Sequence, residues 1–192
     1  MQLGFSWNST TRTTCGILRI CNQKLLDKYL RELKSLRYLV SQPLVLGLAL
    51  LEALLMIVPG WLGVAQNDIA KVQSRTGHLG GIVFDHVSSD GPLEYDQVSL
   101  EVSKISQMIS WYRTLYKSYL YLCEFLANSA TRSELVEDRT IPGSSHASAT
   151  NWEVFSELLN ADKSQIIHDL SNTDYYKDLC VIQNQNVRPG CL

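Results

Sequence analysis

The sequence predicts an all-α protein, a helical bundle of about four to six helices with one highly apolar helix and one long heptad helix. The chain has 192 residues, of which 45% are hydrophobic and 19% charged, and its net charge is −2. Because disorder requires low hydrophobicity and high net charge, this composition indicates a folded chain. Two patterns indicate helices in particular. One is a long apolar run at residues 43–65, and the other is a spacing of three and four between apolar residues at 95–127.

The charge pattern excludes one class of partner. With a pI near 6.1, the chain lacks the basic character that nucleic-acid binding requires, so we expect no nucleic-acid partner. Residues 1–66 nevertheless carry a net charge of +4 and residues 67–192 a net charge of −6. Such asymmetry is typical either of a basic half that contacts a membrane or a partner, or simply of helix faces that differ in sign.

The chain is expected to begin with a flexible N-terminal segment at residues 1–19, followed by a helical region at 20–127. Within residues 21–42 the apolar positions form one stripe at helical spacing, and most of the charged residues lie off it. This pattern fits a basic helix on an anionic membrane surface, and it fits an ordinary bundle helix at least as well. The stripe consists of Leu25, Leu26, Tyr29, Leu30, Leu33, Leu36, Leu39 and Val40.

The apolar helix predicted at residues 43–65 is the strongest single feature. A transmembrane helix needs about 20 mostly apolar residues, and this run of 23 contains one ionisable group, Glu52. Pro59-Gly60 interrupts helical pattern, which leaves an uninterrupted helix at 44–58 that is short for a span and typical of a buried core helix. In either setting Glu52 is a candidate functional carboxylate, intramembrane or buried, because a carboxylate removed from water must pair or take up a proton.

The longest regular pattern is the predicted heptad helix at residues 95–127. Apolar residues follow one another at alternating steps of four and three, which predicts a long helix that packs against a neighbour as in a coiled coil. The partner helix can belong to the same chain or to another protein, and for the tyrosines core packing is the favoured interpretation. The predicted interaction face consists of Val98, Val102, Ile105, Ile109, Tyr112, Tyr116 and Tyr119.

The rest of the chain is predicted to contain a linker at residues 128–150, rich in Ser, Thr, Gly and Pro, and C-terminal helices and a tail at 151–192. No phosphate-binding loop, metalloprotease motif, EF-hand loop or kinase signature occurs in the sequence. The five cysteines form no C-x-x-C pair, which argues against a zinc site. We therefore predict no catalytic residue, metal, cofactor or small-molecule substrate.

Together these features predict a non-enzymatic, membrane-associated helical adaptor or subunit that mediates protein–protein interaction inside the cell. The expected partners are a membrane and a protein that binds through helical faces. The alternative is a soluble helix-bundle protein, a cytosolic interaction module or a four-helix signalling ligand, in which residues 44–58 form the buried central helix.

Overall fold

The fold is that of a mostly helical protein, as the sequence predicts. A computed structural model describes residues 2–8, 11, 13–40, 42–76, 78–79, 82–83, 95–140 and 146–187, and 83% of these residues are helical. The described elements are β1 (Gln2–Asn8), β2 (Thr13–Arg19), α1 (Gln23–Ser35), a 3₁₀ turn (Leu36–Leu39), α2 (Val45–Leu55), α3 (Val58–Thr76), β3 (His78–Leu79), β4 (Ile82–Val83), α4 (Tyr95–Thr140) and α5 (His146–Val187).

The chain divides into two compact units, which are described separately. Unit 1 comprises Met1–Ile57 and Ser118–Ile167, and unit 2 comprises Val58–Lys117 and His168–Leu192. The long helices α4 and α5 therefore each contribute residues to both units.

The N-terminal segment forms an antiparallel β-hairpin in place of the flexible segment expected at residues 1–19. β1 pairs with β2 from Gln2↔Arg19 to Asn8↔Thr13. Apolar and polar residues alternate along β1, so one face of the strand is half-buried while the other is exposed. A lone hairpin is marginally stable in water. This one packs against α2, since a Cβ added at Gly16 would lie 2.7 Å from the Leu46 side chain.

The apolar run is divided into two helices, and the break comes before the proline. α2 ends at Leu55, a turn follows at Met56–Ile57, and α3 begins at Val58. Pro59 thus lies in the first turn of α3, where backbone N–H groups have no acceptor within the helix, so the missing N–H of proline costs no helical hydrogen bond. Taken together, Val45–Thr76 is the one stretch among the described residues that is long and apolar enough to cross a membrane, and a buried core helix meets the same criteria.

The linker predicted at residues 128–150 is largely helical in the structure. α4 continues to Thr140 and α5 already begins at His146, so only residues 141–145 of that range lie outside the described residues. Ala127, Ala130, Arg132 and Glu134 are strong helix formers, which extends α4 despite the interspersed serine and threonine. The separate C-terminal helices expected after residue 151 are likewise one helix, α5, which ends at Val187.

Unit 1 is built around α2. α1 packs against α2, and its N-terminus is capped by Asn22, whose Oδ1 accepts a hydrogen bond from the Leu25 N–H at 3.2 Å. Lys28 of α1 donates from Nζ to the Met56 carbonyl at 3.1 Å, which places a cation on the C-terminal end of α2. The buried residues of the unit include Leu36, Leu39, Leu48, Leu51, Leu126, Phe155 and Leu159.

Unit 2 packs α3 against the first half of α4 and the end of α5. Ion pairs lie around its core, with Arg75 Nη1 at 2.7 Å from Glu101 Oε2 and Arg113 Nε at 2.6 Å from Asp174 Oδ1. The core itself consists of Leu62, Ala65, Ile69, Val72, Val98, Val102, Ile105, Ile109, Tyr112 and Cys180.

Candidate functional sites: a buried carboxyl pair and an exposed aromatic face

Glu52, the carboxylate singled out by the sequence, lies in the middle of α2. Nine of the eleven residues of this helix are buried, and Glu52 is itself half-buried. Burial raises the pKa of Glu52, and the negative charge of Glu32 on α1 raises it further. The structure therefore places an acidic group with a perturbed proton affinity on the central helix of unit 1.

The structure brings a second carboxyl, Asp162 of α5, into the same part of unit 1. The Asp162 side chain is on a residue only 8% exposed, and its Oδ2 has no hydrogen-bond partner among the described residues. Burial, followed by the charge of Glu52, raises the pKa of Asp162 to about 7. The two carboxyls thus form a carboxyl pair, Glu52 and Asp162, whose members come from α2 and α5.

Asp162 was not predicted as a site residue, although the sequence contains a signal for it. It comes three residues after Leu159 and four before Ile166, both of which are buried. An aspartate at a position where helical spacing places the apolar face is a buried polar group with an energetic cost. That spacing indicates a buried carboxyl at position 162, but it does not reveal the second carboxyl near it.

The third group at this site is the Cys123 thiol of α4. Cys123 is 1% exposed, and its pKa is raised to about 12, first by burial and then by the negative charge of Asp162, against a smaller opposite effect of Lys163. The thiolate is the nucleophilic form of cysteine, so at neutral pH this thiol is chemically inert while it stays buried. No group of three or more His, Cys, Asp or Glu side chains among the described residues could hold a metal ion.

The interaction face predicted on the heptad helix lies inside the protein. All seven of its residues are buried, the most exposed being Tyr119 at 8%, and burial raises the pKa of Tyr119 to about 12. The first five, from Val98 to Tyr112, belong to the core of unit 2. The seam thus packs against helices of the same chain, and a role in binding another protein stays a prediction for these residues.

Two tryptophans form an exposed cluster on unit 2 that sequence reasoning did not single out. Trp61 of α3 and Trp111 of α4 have ring centroids 5.7 Å apart and are 39% and 52% exposed. Tyr112 lies behind them in the core, with its ring 6.3 Å from Trp61 and 5.3 Å from Trp111. Val64, one turn after Trp61 on α3, is 52% exposed and extends the apolar surface. We call Trp61, Val64 and Trp111 the aromatic face.

A groove lies further along the same two helices. Its volume is about 480 Å³, and apolar side chains from α3 and α4 lie among its charged residues. Three basic and two acidic side chains line it, and both acidic ones are ion-paired. Lys104 makes no ion pair with any residue that the structure describes. The lining residues are Asp68, Lys71, Val72, Ser74, Arg75, Glu101, Lys104 and Ile105.

Comparison with known proteins found no matching family model, no similar curated protein and no similar solved structure.

Proposed function

We propose that the chain is a non-enzymatic helical protein that binds another protein, and that α2 is the buried central helix of its unit 1. The burial of α2 supports the second part, because the helix is enclosed by protein on nearly every side. The helices around it expose charged residues, among them Lys24, Asp27, Arg31 and Lys34 of α1 and Glu153 and Glu157 of α5. A polar outer surface of this kind suits water and would be costly in contact with lipid chains.

The aromatic face carries the proposal of protein binding. Trp61 and Trp111 leave much of their surface in water although each is large enough to contribute substantially to a core. Tryptophan is enriched among the few residues that supply most of the free energy in protein interfaces. A pair of half-exposed tryptophans in ring contact, beside an exposed valine, is therefore a suitable anchor for a partner.

The neighbouring groove indicates the chemistry of that partner. Lys104 and the strongly exposed Lys71 lie on the two helices that carry the aromatic face, and the groove has more basic than acidic side chains. Charge complementarity favours an acidic partner, since matched potentials speed association and select against basic competitors. We therefore propose an amphipathic helix whose apolar side packs on the aromatic face and whose acidic residues face Lys71 and Lys104.

A photo-crosslinking experiment tests this binding surface. A photoreactive amino acid is placed at Val64 or, as a control, at Leu100, which is also an exposed apolar residue of unit 2. A partner crosslinked at position 64 and not at 100 is identified, purified and titrated against the chain. We expect Trp111→Ser to weaken this binding by about tenfold or more and Leu100→Ser to change it less than about twofold. Equal losses in the two variants, or no protein captured from position 64, would overturn the proposal.

A membrane-associated adaptor is the second candidate, favoured by the apolar stretch Val45–Thr76. The two candidates differ in their behaviour during expression without detergent. With α2 as a core helix, the chain appears in the soluble fraction as a monodisperse species that unfolds cooperatively. Retention in the membrane through a carbonate wash, lost when residues 43–65 are deleted, would instead establish the membrane-associated adaptor.

A further inference from the structure

Asp162 occupies a position at which a carboxylate is unfavourable. It lies on the inner side of α5 between two buried residues, Leu159 and Ile166, and is 92% buried, since 8% of its surface is exposed. Its Oδ2 finds no hydrogen-bond partner among the described residues, and Asp162 forms no ion pair with any of them. An ionised carboxylate in such a place lacks both water and a counter-ion, whereas a protonated carboxyl carries no charge and can donate a hydrogen bond.

The charged groups around Asp162 make ionisation still less favourable. Glu52 faces it from α2, and Glu32 of α1 acts on Glu52 in turn. From α4 the neutral Cys123 thiol interacts with Asp162, and Glu124 is the next residue of that helix. The nearby cation is Lys163, the next residue of α5, and its field reaches Cys123. The negative charge of Glu52 opposes a second charge on Asp162, so Asp162 binds its proton more tightly than burial alone would make it do.

We propose that Glu52 and Asp162 form a proton-dependent latch that holds the α5 segment of unit 1 against α2 and α4. With the proton bound, the pair is neutral enough to stay buried, and α5 is closed on the other two helices. When the proton leaves, a buried Asp162 carboxylate lies close to the charge of the half-buried Glu52, and the lost hydration together with the repulsion favours a state in which α5 opens and hydrates Asp162. The latch is independent of the partner proposed for the aromatic face, since that face belongs to unit 2.

The raised pKa of Asp162, about 7, sets the pH range in which the latch works. An open α5 exposes Asp162 to water and returns its pKa to the ordinary value of 3.8. Below about pH 4 both states hold the proton, so the closed state carries no penalty. As the pH rises toward 7 the open state loses its proton first, and opening becomes progressively more favourable until it levels off above about pH 7.

Two buried cysteines of the described residues provide a matched pair of reporters in the unmodified chain. Cys123 lies in unit 1 beside the latch, whereas Cys180 lies in unit 2, and they are 1% and 3% exposed. The full chain is treated briefly with 4,4′-dithiodipyridine, which reacts with thiols in acid as well as at neutral pH, and modified cysteines are quantified by peptide mapping. At each pH the rate of thiol modification in the urea-unfolded chain is divided by the rate in the folded chain. This ratio is the protection factor, and the intrinsic reactivity of the thiol cancels in it.

The latch predicts that the protection factor of Cys123 falls at least about tenfold between about pH 5 and pH 7 and then levels off. The protection factor of Cys180 stays within about twofold over the same range. Asp162→Asn greatly weakens the pH dependence at Cys123, since the amide does not titrate and Glu52 is the only carboxyl of the pair that remains. Glu157→Gln, which removes an exposed carboxylate of the same helix, leaves the profile unchanged.

A second variant keeps the latch testable if Asp162→Asn fails to fold. Glu52→Gln removes the charge that faces Asp162, so the fall in Cys123 protection should level off at a lower pH than in the unmodified chain. A Cys123 protection factor that is constant with pH would overturn the latch. A parallel fall in the protection factor of Cys180 would also overturn it, because that result would mean that the whole chain loosens. The latch would likewise be overturned if Asp162→Asn or Glu52→Gln left the pH profile of Cys123 protection the same as in the unmodified chain.

Discussion

The substitution Gly47→Ala tests how closely α2 packs against α4 in unit 1. A Cβ built at Gly47 would lie 2.7 Å from Cδ2 of Leu126, well inside the distance of about 3.5–4.0 Å at which two carbon atoms attract each other best. Leu126 is fully buried, so its methyl groups cannot turn outward without displacing neighbours. The absence of a side chain at position 47 therefore allows the two helices to approach.

Two opposing effects decide the sign of this change. Alanine is favoured over glycine in a helix interior by about 1 kcal/mol. Overpacking a well-packed core costs about 1–3 kcal/mol. Because the contact is short and Leu126 is confined, we expect overpacking to prevail and Gly47→Ala to lower the free energy of unfolding by about 1 kcal/mol.

Gly63 of α3 is the matched control, since a Cβ there would meet no heavy atom within 4 Å. At this position alanine causes no overpacking and only its higher helix propensity acts, so Gly63→Ala should raise the free energy of unfolding by about 0.5–1 kcal/mol. Urea denaturation followed by far-UV circular dichroism measures both changes. Shortening the obstructing side chain by Leu126→Ala should make a subsequent Gly47→Ala stabilising, with a coupling of about 2 kcal/mol. If Gly47→Ala stabilises the unmodified chain as much as Gly63→Ala does, the close approach of α2 and α4 is refuted.

Three further predictions address the core, the surface charges and the carboxyl pair. Leu51→Ala, at a fully buried site of α2, should lower the free energy of unfolding measured in urea by about 2–5 kcal/mol. Met56→Ala, at a 53% exposed site, should lower it by well under about 1 kcal/mol. Similar values for the two variants would contradict the burial of α2. Removing the surface ion pair by Arg75→Gln should change the free energy of unfolding by less than about 1 kcal/mol, and a double-mutant cycle with Glu101→Gln measures the coupling directly. Asp162→Asn should stabilise the chain above about pH 7 by at most about 4 kcal/mol, and progressively less toward pH 4. The reason is that the pKa of this carboxyl is raised in the folded state, so its charge destabilises the fold only as the pH rises. A difference in the free energy of unfolding that does not vary with pH would refute this.

Much of the helical architecture could be predicted because it depends on local patterns. The heptad spacing from Val98 to Leu126 predicted a helix from residue 95, and α4 begins at Tyr95 with the whole seam buried. The N-terminal hairpin was missed because a period of two over seven residues is weak evidence when serine, threonine and glycine dilute it. Its stability also depends on contact with α2, which no local pattern reveals.

The predicted linker fails for a related reason. Serine and threonine around residue 130 indicated a loop, yet alanine, arginine and glutamate between them favour a helix, and α4 continues through this segment to Thr140. Composition averaged over twenty residues concealed a helix-forming stretch next to a glycine and proline cluster.

Of the candidate site residues, too, some could be predicted from the sequence and others could not. Glu52 could be found because a single ionisable residue in an apolar run is conspicuous without any knowledge of the fold. Asp162 and the aromatic face were not found, since each owes its importance to residues distant in the sequence: Asp162 to Glu52, and Trp61 to Trp111. An exposed tryptophan is recognised only once its burial is known, and the helical spacing around Asp162 does not reveal that Glu52 lies near it.

The sequence by itself determined most of the helical segments of this protein and the apolar faces of α1 and α4, because both follow from the chemistry and spacing of neighbouring residues. Only the tertiary structure decided what covers those faces. It covered α2 with helices whose outer sides are charged, and it enclosed the heptad seam within the chain. It also brought Asp162 to the one carboxylate of the apolar run. The physical reason is that burial and electrostatic interaction depend on distances between side chains far apart in the chain, and those distances exist only after the helices have packed.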